Sequence, residues 1–265
     1  LNRSVIMSVL DSIIAGVLEE QSLRQLSSSE LAERIAEIDD VRTPLTSLRK
    51  NDFSIIAEVK RSSPSKGALA EIRDPASLAL SYQKGGASVV SVLTENRRFG
   101  GSLEDFTEVR KKISIPMLRK DFIVNEYLVR ETRAFGADLM LLIVAALEVS
   151  ALKDLHDLGV ELGMQVLVEV HDASELDRAL AINPKIIGVN ARNLKTLEID
   201  VKNFSSLLPK IPTDIYRIAE SGIASVDDVR VARDSGADAI LVGETLVKSG
   251  NPEKTIAEFL SVANR

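Results

Sequence analysis

The sequence predicts an α/β fold: a closed (β/α)8 barrel of eight parallel strands with extra N-terminal helices. Three observations predict it. Eight short runs rich in branched apolar residues alternate with longer amphipathic stretches. The ends of these runs recur about every 26 residues, the length of one strand, one helix and two loops. A phrase also repeats ahead of the strands, as Gly86-Ala87-Ser88, Gly136-Ala137-Asp138 and Gly236-Ala237-Asp238, which is expected if one helix-to-strand turn is reused around a ring. Eight such units in a chain of 265 residues favour the TIM-barrel architecture over an open doubly wound sheet. An open sheet would usually have fewer strands and, for a nucleotide, a Gly-x-Gly-x-x-Gly first turn, which is absent.

In chain order, residues 1–47 read as two or three helices ahead of the barrel. Val5, Ile6, Val9, Ile13, Val17 and Leu18 recur at helical spacing, and Ser27 with Glu30 makes a capping box before Leu31, Ile35 and Ile38. This extension is expected to cover one end of the core rather than to serve as a dimerisation arm, because its apolar face needs a partner. Residues 48–265 form the barrel, and the whole chain, 1–265, is one domain in this reading. The strand runs are 54–59, 88–93, 115–118, 139–143, 165–170, 186–189, 216–219 and 239–242. Asp74-Pro75 and Ser102 with Asp105 open helices, while Gly86, Gly136 and Gly236 close them.

Composition narrows the function classes. A net charge of -6, seven Phe, three Tyr and no Trp argue against a nucleic-acid surface and leave small molecules as partners. With no cysteine, disulfides, thiolate metal sites and Cys nucleophiles are excluded. The longest apolar run, 139–147, is far short of the ~18 residues that span a bilayer. No secretory signal pattern is seen, so no membrane association and a cytoplasmic location are expected. No fused second domain is expected either.

In barrels of this kind chemistry sits at the C-terminal ends of the strands. There the sequence places Glu58 and Lys60 (first run), Ser91, Thr94 and Glu95 (second), Lys120, Asp121 and Phe122 (third), Glu169 (fifth), Asn190 and Arg192 (sixth), and Glu220 and Ser221 (seventh). Any one of these fits a structural ion pair. Burying all of them costs several kcal/mol, which chains seldom carry without a function. Lysines near carboxylates can be tuned toward neutral pH, so Lys60 and Lys120 are candidate general acids, with Glu58 and Glu169 as their counterparts. Glu220-Ser221-Gly222-Ile223 and Val242-Gly243-Glu244-Thr245 put glycine just beyond the seventh and eighth strands, where a barrel commonly binds phosphate. Ser63 and Ser65, in the loop after the first strand, adjoin the same place once the ring closes. His156 and His171 do not make a metal set.

These residues resemble the indole-3-glycerol-phosphate synthase family of tryptophan biosynthesis, over essentially residues 1–262. The carrying motifs are Ala57-Glu58-Val59-Lys60-Arg61-Ser62-Ser63-Pro64-Ser65-Lys66-Gly67, Ser91-Val92-Leu93-Thr94-Glu95, Leu118-Arg119-Lys120-Asp121-Phe122, Leu167-Val168-Glu169-Val170-His171, Gly188-Val189-Asn190-Ala191-Arg192-Asn193-Leu194 and Ala219-Glu220-Ser221-Gly222-Ile223. The resemblance implies a lyase that closes the pyrrole ring of 1-(2-carboxyphenylamino)-1-deoxyribulose 5-phosphate, losing carbon dioxide and water without metal or organic cofactor. It implies that Lys120 is the general acid at the ketone and that Glu169 and Lys60 share the later proton transfers. By the same resemblance, Glu58 and Asn190 are expected to orient substrate hydroxyls and the lysines, with Ser221 beside them, Arg192 to meet the anthranilate carboxylate or a catalytic glutamate, and Phe122 and Leu141 to wall the aromatic ring. Ser63, Gly222, Gly243 and Glu244 fall at the phosphate positions, Glu244 through its backbone N–H. Ser62 and Ala191 stand where other members carry lysine and asparagine, which bears on affinity. Alternatives are another sugar-phosphate barrel enzyme, such as a phosphoribosyl isomerase or a Schiff-base aldolase, or a non-catalytic phosphate-ligand binder. A monomer or weak homodimer is expected.

Overall fold

Asp138 and Asp238 show how the barrel is built from its repeated phrase. Each follows a Gly-Ala pair whose glycine has a positive φ, +89° at Gly136 and +98° at Gly236, where a side chain would be strained. The following alanine N–H reaches back to close the preceding helix, Ala137 to the Thr132 carbonyl and Ala237 to that of Ala232. The aspartate then takes the backbone N–H of the neighbouring strand, Met117 on Asp138 and Arg217 on Asp238, both at 2.8 Å.

The computed structural model describes residues 8–49, 53–194 and 196–263. Its barrel strands are β1 (Ser54–Val59), β2 (Val89–Leu93), β3 (Met117–Lys120), β4 (Leu139–Ile143), β5 (Gln165–Val170), β6 (Ile186–Asn190), β7 (Tyr216–Glu220) and β8 (Ala239–Val242). Each is parallel to its neighbours, and β1 pairs with β8 to close the ring, Ser54 opposite Ala239. The strands are buried almost throughout, which is why they read as continuous apolar runs. The third strand starts two residues later than the sequence suggests, after Pro116, which has no N–H to give a ladder, and it carries Lys120 inside its last position. The sixth and seventh extend one residue further, to Asn190 and Glu220.

The barrel helices are α4 (Pro75–Gly85), α5 (Leu103–Lys112), α6 (Glu126–Ala134), α7 (Val149–Glu161), α8 (Ala173–Leu180), α9 (Lys202–Leu207), α10 (Val226–Asp234), α11 (Glu244–Lys248) and α12 (Pro252–Ala263). A short antiparallel ladder, Ser62–Ser63 with Gly67–Ala68, folds the loop after β1 back on itself, a feature the sequence does not announce. None of the described helices is long and apolar enough to cross a membrane.

The N-terminal extension forms α1 (Val9–Arg24), α2 (Ser28–Glu37) and α3 (Pro44–Leu48). The expected positions Val5 and Ile6 lie outside the described residues. Leu10, Ile13 and Val17 join the core, but Leu18 is 40% exposed, so the buried face of α1 does not include it. This segment is a strap running from the mouth of the barrel to its base. At the mouth, Ser12 accepts from Arg98 (2.6 Å), Gln21 accepts from Asn125 (2.9 Å), and Arg24 forks onto Glu131 (3.0 and 3.1 Å). At the base, the Arg42 N–H donates to Asp138 (2.8 Å), and the fully buried Leu48 offers its carbonyl to Ser54 (2.7 Å) and Tyr216 (3.0 Å). The strap therefore covers core as expected, and it does so at both ends.

Candidate active site

The odd strands build the centre. A barrel of this type fills its interior with layers of four side chains from alternate strands. Here β1, β3, β5 and β7 supply Glu58, Lys120, Glu169 and Glu220 at their C-terminal ends. The Lys120 ammonium is 3.1 Å from Glu169 Oε2 and 3.5 Å from Glu220 Oε2. Glu58 is buried and pairs with Lys60 at 2.6 Å, the same-face neighbour expected in a strand.

Burial alone pushes the Lys120 ammonium toward neutrality, but Glu169, Glu220 and Glu58 more than offset it, so Lys120 is held charged. The tuning toward neutral pH expected from the sequence runs the other way for this lysine. Glu169 is likewise raised by burial, then held well below the usual carboxylate range by Lys120 and by His171. Glu220 differs: burial dominates, Lys120 only partly relieves it, the Glu169 and Glu58 charges add to the rise, and it is pushed up to about 8. Two facing carboxyls thus divide, Glu169 ionised and Glu220 protonated at neutral pH.

Glycines make room for Glu220 and Glu58. A Cβ on Gly188 would lie 2.0 Å from Glu220 Oε1, and one on Gly243 would lie 2.8 Å from Glu58 Oε1. Behind Lys120, the fully buried Arg119 binds Thr94 (3.0 Å), Thr132 (3.1 Å), Asp121 (3.0 Å) and Glu131 (2.9 Å), which fixes the strand that presents the lysine. Glu131 is the residue that Arg24 of the strap also grips.

A cavity of about 850 Å³ opens above this layer. Of the residues singled out in the sequence, Glu58, Lys60, Lys120, Phe122, Leu141, Glu169, Asn190, Arg192, Ser221, Gly222, Gly243 and Glu244 line it. Ser63 does not: it is buried beside the cavity, with a hydroxyl that has no hydrogen-bond partner among the described residues. Asn190 is buried and its Oδ1 accepts the Arg192 N–H at 2.9 Å, while the Arg192 guanidinium donates to Ser65 Oγ (2.9 Å) and the Leu197 carbonyl (3.1 Å). Ser221 has φ +66° and Gly222 has φ +77°, so a non-glycine residue holds a strained left-handed conformation at the end of β7. Glu244 is paired with Lys66 (2.7 Å) and Lys248 (2.8 Å), and although burial raises it, the two lysines bring it below its ordinary value. The negative charge beside the glycine turns is thereby kept on Glu244 and paired with two lysines.

Asp121 and Glu220, also placed at strand ends by the sequence, line the cavity as well, although the sequence assigns Glu220 no role. Other lining residues leave no sign in the sequence. Phe99 stacks on Phe122 with ring centroids 6.1 Å apart and a 37° tilt, and Leu194, Ile199 and Val201 add apolar wall from the loop after β6. These sit in loops without periodicity, so no pattern marks them. His171, set aside as a metal ligand, lies against Glu169 at 3.3 Å, whereas His156 meets only Asp157, at 3.2 Å, among the described ionic contacts.

A closed parallel barrel with a charged lysine among three glutamates, under a cavity rimmed by glycine turns, is a (β/α)8-barrel enzyme site for a small molecule. The model of the indole-3-glycerol phosphate synthase family matches residues 10–259. Indole-3-glycerol phosphate synthase 1 of Streptomyces coelicolor is 51% identical over 257 residues, covering 96% of each chain. The indole-3-glycerol phosphate synthase of a Nocardioides species is 53% identical over 258 residues, covering 97% of this chain and 99% of that one. Among solved structures, thiamine phosphate pyrophosphorylase from Pyrococcus furiosus superposes with a TM-score of 0.60 at 13% identity over 81% of this chain and 96% of that one, a likeness of fold alone. The chain belongs to the indole-3-glycerol phosphate synthase family.

Proposed function

We propose that this chain is a decarboxylating carbon–carbon lyase that converts 1-(2-carboxyphenylamino)-1-deoxyribulose 5-phosphate to indole-3-glycerol phosphate, carbon dioxide and water. It works in the cytoplasm, as a monomer or weak homodimer, with no cofactor. The observation that carries this reading is the Lys120 ammonium, held charged between Glu169 and Glu220 on the floor of the cavity, beside the Phe99–Phe122 wall.

In the first step the ring carbon bearing the carboxylate attacks the ketone carbon. The carbonyl electron pair moves to oxygen, where a proton must arrive. A buried ammonium stabilises that developing alkoxide and protonates it. Carbon dioxide then leaves, and the electrons of its bond restore the aromatic ring. The hydroxyl departs as water once protonated, and the neighbouring methylene gives up a proton to complete the indole. Glu169, ionised and buried, suits the base that takes this last proton, which leaves Lys60 as the acid for the hydroxyl. Glu58 and Asn190 orient the substrate hydroxyls with Ser221 beside them, Arg192 faces the anthranilate carboxylate, and Phe122 and Leu141 flank the ring. The backbone N–H groups at Gly222, Gly243 and Glu244 receive the phosphate, with Ser63 behind them.

A Schiff-base aldolase needs a neutral lysine nucleophile, and the negative charge that holds Lys120 protonated, Glu169 foremost, opposes that. The test is direct: indole fluorescence should develop when the protein meets this substrate. Lys120→Ala should abolish turnover, a loss of at least ~10², while substrate binding by calorimetry persists. Turnover near the parent level would remove Lys120 from its role, and borohydride trapping of a lysine adduct would favour the aldolase.

A further inference from the structure

His171 follows β5, and its ring lies behind Glu169, off the cavity lining. Each ring nitrogen faces a different carboxylate. Nε2 is 3.3 Å from Glu169 Oε1 and Nδ1 is 2.9 Å from Glu175 Oε2, the latter on the first turn of α8. The clamp is tightened through the backbone, since the His171 N–H donates to the same Glu175 oxygen at 2.8 Å and Asn203 donates to the His171 carbonyl at 3.3 Å. A neutral imidazole has one donor and one acceptor, so it would turn a lone pair toward one of the two acids, whereas an imidazolium presents positive charge to both, through a hydrogen bond at Glu175 and an ion pair without hydrogen-bond geometry at Glu169.

The supports of the two facing acids are therefore unequal. Glu169 has a cation on each oxygen, Lys120 on Oε2 and His171 on Oε1. Glu220 has Lys120 alone, at 3.5 Å, and neither of its oxygens receives a hydrogen bond among the described residues. The charged groups facing this centre are Glu58 from β1, Lys120 from β3, Glu220 from β7 and, behind Glu169, His171 with Glu175 from α8.

We propose that His171 is a positioning residue for the reaction: as an imidazolium bridging Glu169 and Glu175, it keeps the Glu169 carboxylate ionised and aimed at Lys120, and so leaves the proton of the acid pair on Glu220. The histidine's own balance agrees. Burial works against its charge, but the Glu169 and Glu175 carboxylates overcome that and push it up to about 10. The catalytic half of this inference rests on the synthase reading, and the electrostatic half does not.

The chain has only two histidines, His156 and His171, so 15N-histidine labelling with His171→Gln as the assignment control resolves the ring directly. His171 should remain doubly protonated to pH 8.5 or so, and Glu169→Gln or Glu175→Gln should each lower its midpoint by about one unit or more. A midpoint near 6.5 in the parent protein, or one that neither substitution moves, overturns the proposal. In the pH dependence of kcat/KM, His171→Gln should move the acid limb upward by about one unit, because Glu169 loses a cationic neighbour and protonates more readily. Glu175→Gln should move it in the same direction by less, and it decides the matter if His171→Gln fails to fold. Limbs that superimpose while only the plateau falls would mark His171 as merely structural. Absence of turnover in the parent would sink the synthase reading and leave the labelling result to judge the clamp.

Discussion

Glu220 is a carboxylic acid where a carboxylate would be costly, and its stability signature follows from that. Its native value of about 8 lies above the ordinary 4.5, so the folded protein binds the extra proton between these limits and loses stability as pH rises through them. Glu220→Gln keeps the shape and removes the titration. Relative to the parent, it should gain on the order of 2 kcal/mol between pH 5 and pH 8, read from urea midpoints at each pH. An unchanged difference would mean that Glu220 is already ionised at pH 5. Gly188→Ala probes the same acid sterically. Its Cβ would fall 2.0 Å from Glu220 Oε1 and 3.0 Å from Leu167 Cδ1, so the carboxyl must move. Turnover should drop at least ~10²-fold for a stability loss of about 1–3 kcal/mol, checked by kinetics and urea melts on one sample. At this scale the sequence revealed Glu58, Lys120 and Glu169 because each ends a recognisable strand. It could not reveal that Glu169 and Glu220 would differ in charge, since that depends on which oxygen meets Lys120 or His171 across the barrel.

Among the elements, the strands were legible and the strap was only half so. Strands buried on both faces leave a run such as Leu139-Met140-Leu141-Leu142-Ile143 that loops do not imitate. The face of α1 was harder to place because its partners are loop residues such as Arg97 and Arg98, which carry no period, and Leu18 therefore looked like core when it is not. Ser63 was harder still: the ladder pairing Ser62–Ser63 with Gly67–Ala68 turns the loop, and a two-residue strand leaves no pattern. The grip of the strap can be tested at Arg24, whose guanidinium forks onto a Glu131 that is 1% exposed. Arg24→Ala should cost about 1–3 kcal/mol, because Glu131 keeps only part of its compensation through Arg119. Thermal and urea unfolding both measure it, and a loss below the usual surface-mutation range of about 0.5 kcal/mol would make the strap a loose cover.

Across the whole molecule, the net charge of -6 is not reversed at the cavity: Lys60, Lys66, Lys120, Arg192 and Lys248 line it together with Glu58, Asp121, Glu169, Glu220, Glu244 and Glu258. Its lysines are paired with these acids, so they act at contact rather than at a distance, and kcat/KM should change little as salt rises from about 0.05 to 0.5 M. A several-fold fall would show that long-range attraction governs encounter. The strap has a further consequence, in time rather than in space. Its ties are distant along the chain: Arg24 to Glu131 spans 107 residues, Arg42 to Asp138 spans 96, and Ser12 to Arg98 spans 86. Contacts that close such long loops have to wait for the segments they join, so the strap docks onto strands that have already assembled. It thus acts as a brake on unfolding: Arg24→Ala should leave the refolding rate nearly as it was and shorten the lifetime of the native state.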